Sequence, residues 1–148
     1  MKKVFLSLAL FAILLSACSP LMNSEFSKNH DKWQVENISH YRFQLFVSCF
    51  CAFVEKMPMT IEVKDGQVVS MTYKDGTAVS DQEREYFKQY DTINGLFDYT
   101  KDSISKADDI HIEYDSTYGY PANVQIDFIK QAADDELYLT VQGFEPLN

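Results

Sequence analysis

Apolar residues recur along this chain with two periods, and the switches between them mark out its elements. Phe26, His30 and Trp33 fall at helical spacing behind Ser24, whose hydroxyl suits an N-cap, so the pattern predicts a helix over about 24–37. Period two follows. Tyr41, Phe43, Leu45 and Val47 point one way and Arg42, Gln44, Phe46 and Ser48 the other, as in a strand with one buried face. Residues 60–64 and 67–73 flank Asp65-Gly66, a dipeptide that readily takes positive φ, and together they predict a β-hairpin. Lys74-Asp75-Gly76 ends its second strand. Ser80 or Asp81 starts a short helical stretch to Tyr90, and Thr92 caps a clearer helix with a stripe of Ile93, Leu96, Phe97 and Ile104.

Period two returns at Ile110, with Ile112 and Tyr114 on the same face and His111, Glu113 and Asp115 on the other. Val124, Ile126 and Phe128 repeat it, then Leu137, Leu139 and Val141. Strands that are apolar on one face need cover on that face alone. The expected fold is therefore α+β, an antiparallel β-sheet with helices packed on one face. The other face stays wet or awaits a partner. Both halves offer helix, strand, connection and strand, but no residue-by-residue match supports an internal duplication.

The first residues follow neither period. Lys2 and Lys3 precede an unbroken apolar run, 4–15, and Leu15-Ser16-Ala17 leads into Cys18. A charged n-region, an apolar h-region and small residues before a cysteine read as a bacterial lipoprotein signal, so residues 1–17 are expected to be removed and Cys18 lipidated. A retained spanning helix needs ~20 apolar residues, more than this run supplies. A plain signal peptide with a chance cysteine is the alternative. Residues 18–24, punctuated by Pro20, read as the lipidated N-terminus and a polar tether, and 25–148 as one domain. The expected place is the cell envelope. Ser19 follows the cysteine where an Asp would signal inner-membrane retention, which favours the outer membrane, facing the periplasm.

Composition narrows the partners. Loss of Lys2 and Lys3 with the leader takes the formal charge from −9 to −11, and no basic block stands against that acidity. Nucleic acid is thus excluded as an expected partner, and an anionic lipid surface is a poor one. The membrane is reached instead through the lipid on Cys18, with an envelope protein as the further partner expected. Nine tyrosines and eleven phenylalanines argue for a packed domain.

Candidate chemistry is sparse. With Cys18 lipidated, Cys49 and Cys51 are left to each other, and in an exported chain such a pair is first read as a disulfide. Residues two apart in an extended strand lie about 6.6–6.8 Å apart, the upper edge for a bridge, so a bond needs a bulge or turn there. The pair is either a local brace at a strand end or a thiol-redox pair. Zinc or copper would want more ligands, and His30, His40 and His111 are scattered, so no metal and no cofactor is expected. The turn 114–121 gathers Tyr114, Tyr118 and Tyr120 around Gly119 and Pro121. These rings either form a recognition surface or pack the sheet's end. Asp115, Asp127 and Asp134-Asp135-Glu136 raise calcium, but the spacing lacks the glycine and closing glutamate of a calcium loop and suits a solvated acidic loop. No nucleophile elbow, zinc-protease helix or phosphate-binding glycine loop occurs, so an enzyme is not expected.

Trp33, Tyr41-Arg42-Phe43, Cys49-Phe50-Cys51, the hairpin around Asp65-Gly66, Leu96-Phe97-Asp98, and Tyr114-Asp115 with Tyr118-Gly119-Tyr120-Pro121 form an ordered set. In that set the chain resembles an uncharacterised bacterial lipoprotein family, domain of unknown function 6174. The resemblance spans nearly all of the mature domain. It implies an α+β domain and supplies no catalytic residues. The expected function is a membrane-anchored, non-catalytic binding module, with a periplasmic thiol-redox factor using Cys49 and Cys51 as the alternative.

Overall fold

The computed structural model describes residues 18–147. The leader reading of residues 1–17 lies outside the described residues. Within them run α1 (Cys18–Glu36), β1 (His40–Ser48), β2 (Met59–Lys64), β3 (Gln67–Tyr73), α2 (Asp81–Phe87), α3 (Ile93–Lys106), β4 (Asp109–Tyr114), β5 (Pro121–Asp127) and β6 (Glu136–Pro146). The strands form one sheet in the order β3-β2-β1-β6-β5-β4, every neighbouring pair antiparallel. Two three-stranded meanders thus meet along their outer members, the first and last strands of the domain.

The alternation read from the sequence decides which face is covered. Tyr41, Phe43, Leu45 and Val47 of β1 are buried, as are Met59, Ile61 and Val63 of β2 and Leu137, Leu139 and Val141 of β6. They join Trp33 of α1, Phe87 of α2 and Leu96 and Phe97 of α3 in a single core. Each such side chain withdrawn from water contributes about 1.5–3 kcal/mol. All three helices therefore lie on one side, the α+β arrangement that the strand pattern implies.

Local signals set the element ends. At the β2–β3 hairpin Lys64 pairs with Gln67, and Asp65 and Gly66 take φ of 49° and 75°, as a two-residue turn twisting with its strands requires. Ser80 and Glu83 form a reciprocal capping box at the start of α2. The Thr92 hydroxyl accepts the Gly95 N–H at 2.9 Å and starts α3.

α1 departs from expectation at its start. It begins at Cys18, so residues 19–24 are helical where a tether was expected and Ser24 lies inside the helix. Its early turns stand beside the edge strand β4, where the half-buried Met22 lines a groove with Leu21, Glu25, Ile110, Ile112 and Tyr114. Pro20 falls in the first turn, where a missing N–H breaks no helical bond.

Candidate functional site

Because the helices share one side, the far face of the sheet is left open. Register places its side chains in rows. Phe46 on β1 is opposite Thr140 on β6, which is opposite Asn123 on β5; Ser48 is opposite Tyr138, then Gln125, then His111 on β4. Phe46 and Tyr138 are exposed large side chains on the two central strands, towards the end where β1 finishes, and are diagonal neighbours across β1 and β6. Amide and hydroxyl groups surround them. Charges gather towards the margins, where His40 meets Glu62 at 2.8 Å and Arg42 meets Glu145 at 2.7 Å. Beside Tyr138 a shallow cleft of about 260 Å³ opens between His111, Gln125, Asp127 and Glu136. Partial burial, then the charges of Asp135 and Glu136, hold the Asp127 carboxyl above its ordinary range.

The chain leaves β1 through Cys49-Phe50-Cys51. The two sulfurs are joined and the Cα atoms are 5.3 Å apart, shorter than an extended strand allows, because the Cys51 N–H turns back to the Cys49 carbonyl at 2.8 Å. Both cysteines are half-buried, and Phe50 between them is 86% exposed. The arrangement holds an aromatic ring out from the protein on a covalently closed turn.

The tyrosine turn has a different character. Asp115 accepts the N–H groups of Thr117 and Tyr118 at 2.9 and 2.7 Å, and the Gly119 N–H bonds the Asp115 carbonyl. Tyr120 is buried, edge-on to Trp33 and 4.9 Å from the Phe144 ring, and Tyr118 lies 5.1 Å from Phe144. Tyr114 is half-buried; burial, then the charge of Glu25, pushes its phenol pKa up, as burial also raises that of Tyr120, to about 12. Tyr118 and Tyr120 share an apolar corner with Phe144, which Trp33 closes, whereas Tyr114 lines the groove beside Leu21, Met22 and Glu25. Asp115, spent on its turn, sits at the opposite end of the sheet from Asp127, Asp135 and Glu136. Among the described residues no three His, Cys, Asp or Glu side chains are placed to hold a metal ion together.

The chain matches the family of unknown function DUF6174 over residues 25–146. It belongs to that family. The DUF6174 match covers every strand and all of α2 and α3, together with α1 from about its third turn on, so the family spans the whole sheet with its covering helices. No curated protein and no solved structure matches the chain.

Two features of this DUF6174 domain are not fully legible in the sequence. Asp91, between α2 and α3, is half-buried, and burial raises its carboxyl pKa to about 6 against the opposing pull of Lys88 and Arg84. Nothing in the local pattern distinguishes it from the other acids. The exposed pair Phe46 and Tyr138 was half visible: alternation sends both outward, but only the register makes them neighbours. The histidines stay apart, His30 stacked on Phe26, His40 bonded to Glu62 and His111 exposed on β4.

Proposed function

We propose that this chain is a lipoprotein of the bacterial envelope, anchored through Cys18, whose domain is a non-catalytic binding module for an envelope protein. The observation that carries the binding reading is the open face of the six-stranded sheet, where Phe46 and Tyr138 stand exposed, Phe46 beside Thr140 and Tyr138 beside Gln125 and the carboxyls of Asp127 and Glu136. Exposed aromatic rings on a rigid sheet lose little entropy on contact and suit an interface centre. The anchor rests on the Leu15-Ser16-Ala17-Cys18 box behind its apolar run. Among the described residues no helix is long and apolar enough to cross a membrane.

Each half has its own test. Cys18→Ser should abolish uptake of labelled acyl chains and release the protein from the membrane fraction; persistent acylation would sink the anchor. A photoreactive phenylalanine analogue at position 138 should crosslink one discrete protein in intact cells, and Phe46→Ser in the same chain should remove the adduct. An unchanged adduct removes the face from consideration.

A second reading has support in the Cys49–Cys51 turn, a bonded pair whose two residues are only partly buried. A thiol-redox role requires a reduction potential in the oxidoreductase range, and a value below about −300 mV excludes it.

A further inference from the structure

The register fixes which loops share an end of the sheet. Ser48, Tyr138, Gln125 and His111 form one row, so the loop that leaves β1 at Cys49 and the loop between β5 and β6 project from the same end. α1 crosses the covered face diagonally. Trp33, near its C-terminus, packs on Tyr41 and Phe144, while Leu21 and Met22 lie against Ile110 and Ile112. The start of α1 therefore reaches this same end.

Large apolar side chains protrude there. Phe50 is 86% exposed, Leu21 76% and Ile129, in the β5–β6 loop, 56%. They come from three segments far apart in sequence that the strand register and the groove beside β4 bring to one end of the fold, the end towards which α1 starts. The closed turn also fixes the backbone at Phe50, so less conformational freedom is lost there on insertion.

We propose that this end of the domain rests on the lipid bilayer, with Phe50 and Ile129 seated in its interfacial region beside the anchor at Cys18. The inference builds on the lipidation reading and adds a posture to it. A helix that begins at Cys18 leaves no loose spacer, so a lipid on that residue holds the adjoining loops at the surface. Charge selects the kind of surface. Asp108, Asp109, Asp127, Asp134, Asp135 and Glu136 flank the tip, and the nearby Lys130 is engaged with Asp109 at 3.4 Å. A net-neutral, zwitterionic interface accepts such a rim, whereas an anionic one repels it.

The test uses the full lipidated chain reconstituted into zwitterionic vesicles with brominated acyl chains, which quench indole emission on contact. In the Phe50→Trp chain, an indole seated about 5–10 Å into the headgroup boundary should lose about half its emission. In the Val35→Trp chain the new ring lies in the last turn of α1, at the far end, and should be unaffected. The native Trp33 is buried and gives a constant background. Mass and flotation report acylation separately. An acylated, floating Phe50→Trp chain without quenching overturns the posture, leaves the anchor standing and frees Phe50 for a protein partner. A chain that neither carries acyl mass nor floats removes the anchor, and the posture with it. Adding anionic lipid at low salt should weaken the quenching; stronger quenching overturns the charge argument.

Discussion

Gly119 offers a measurement of how tightly the tyrosine turn is seated on α1. Its φ is +83°, and a Cβ built there would stand 2.6 Å from the Asn29 carbonyl oxygen and 3.1 Å from the Lys32 Cβ. The first contact is helix backbone, which cannot swing aside. Gly76 has the same φ of +83° with nothing within 4 Å, and so isolates the backbone cost. Gly76→Ala should lose about 1–2 kcal/mol, the penalty for a side chain in the left-handed region. Gly119→Ala carries that penalty plus about 1–3 kcal/mol for pushing α1 from the loop, about 2–5 kcal/mol together. Against a total of about 5–15 kcal/mol for a domain, the variant stays folded but much weakened. Urea unfolding followed by Trp33, the only tryptophan, reads both numbers at a common m-value, and Trp33 touches Tyr120 beside the altered site. Equal losses for the two variants, within about 0.5 kcal/mol, would refute the close approach.

Three further outcomes are expected. Asp91→Asn should stabilise at neutral pH: with its folded pKa raised to about 6, the native carboxyl favours folding fully below its unfolded value near 4, and that contribution is lost as pH rises through 6. The full shift is worth about 3 kcal/mol, discounted for half-exposure to about 1–2 kcal/mol at pH 7, with no gain at pH 3.5 in parallel thermal melts. Tyr90→Phe should be neutral or stabilising by about 1 kcal/mol, because the buried hydroxyl lies near the Gln89 and Tyr86 side chains but makes no well-formed hydrogen bond among the described residues; a loss above about 1 kcal/mol in urea would show that one of these neighbours bonds it. Ser80→Ala should cost about 1 kcal/mol by opening the capping box. It should also bring the Glu83 carboxyl, held near 2 chiefly by its Ser80 bond and then by Lys56, back towards its ordinary value in an NMR titration.

What could be read from the chain and what could not divide along a physical line. Strands such as β1 announce themselves because burial of alternate residues is local, and the β2–β3 hairpin because Asp65-Gly66 supplies the backbone the turn needs. The pairing of β1 with β6 is invisible, since it joins segments about a hundred residues apart and no local period records it. β6 runs beyond Val141 through Gly143 to Pro146, where the register shifts opposite 42–44 and the alternation is lost. The helical turns of α1 before Ser24 stand beside the β4 edge, a strand about ninety residues away that no local period records. Tyrosine was the ambiguous residue: one end is apolar and the other wet, so only the corner formed by Trp33 and Phe144 decides that Tyr120 goes in.

The proposed posture and the proposed binding face constrain each other. The strands run lengthwise from the end where Cys18, Phe50 and Ile129 meet, and β1 alone, at nine residues, spans about 30 Å. If that end rests on the bilayer, the sheet stands upright and its open face looks sideways, parallel to neither leaflet. Phe46 and Tyr138 then lie low on the domain, within two residues of the row that ends at Ser48. A partner engaging them would itself have to sit close to the membrane. Crosslinks from position 138 should accordingly fall on membrane-associated or membrane-integrated proteins, whereas crosslinks from Ser70, on the outer strand β3 near the far end, should not. Adducts at both positions with the same freely diffusing protein would be incompatible with an upright, membrane-seated domain.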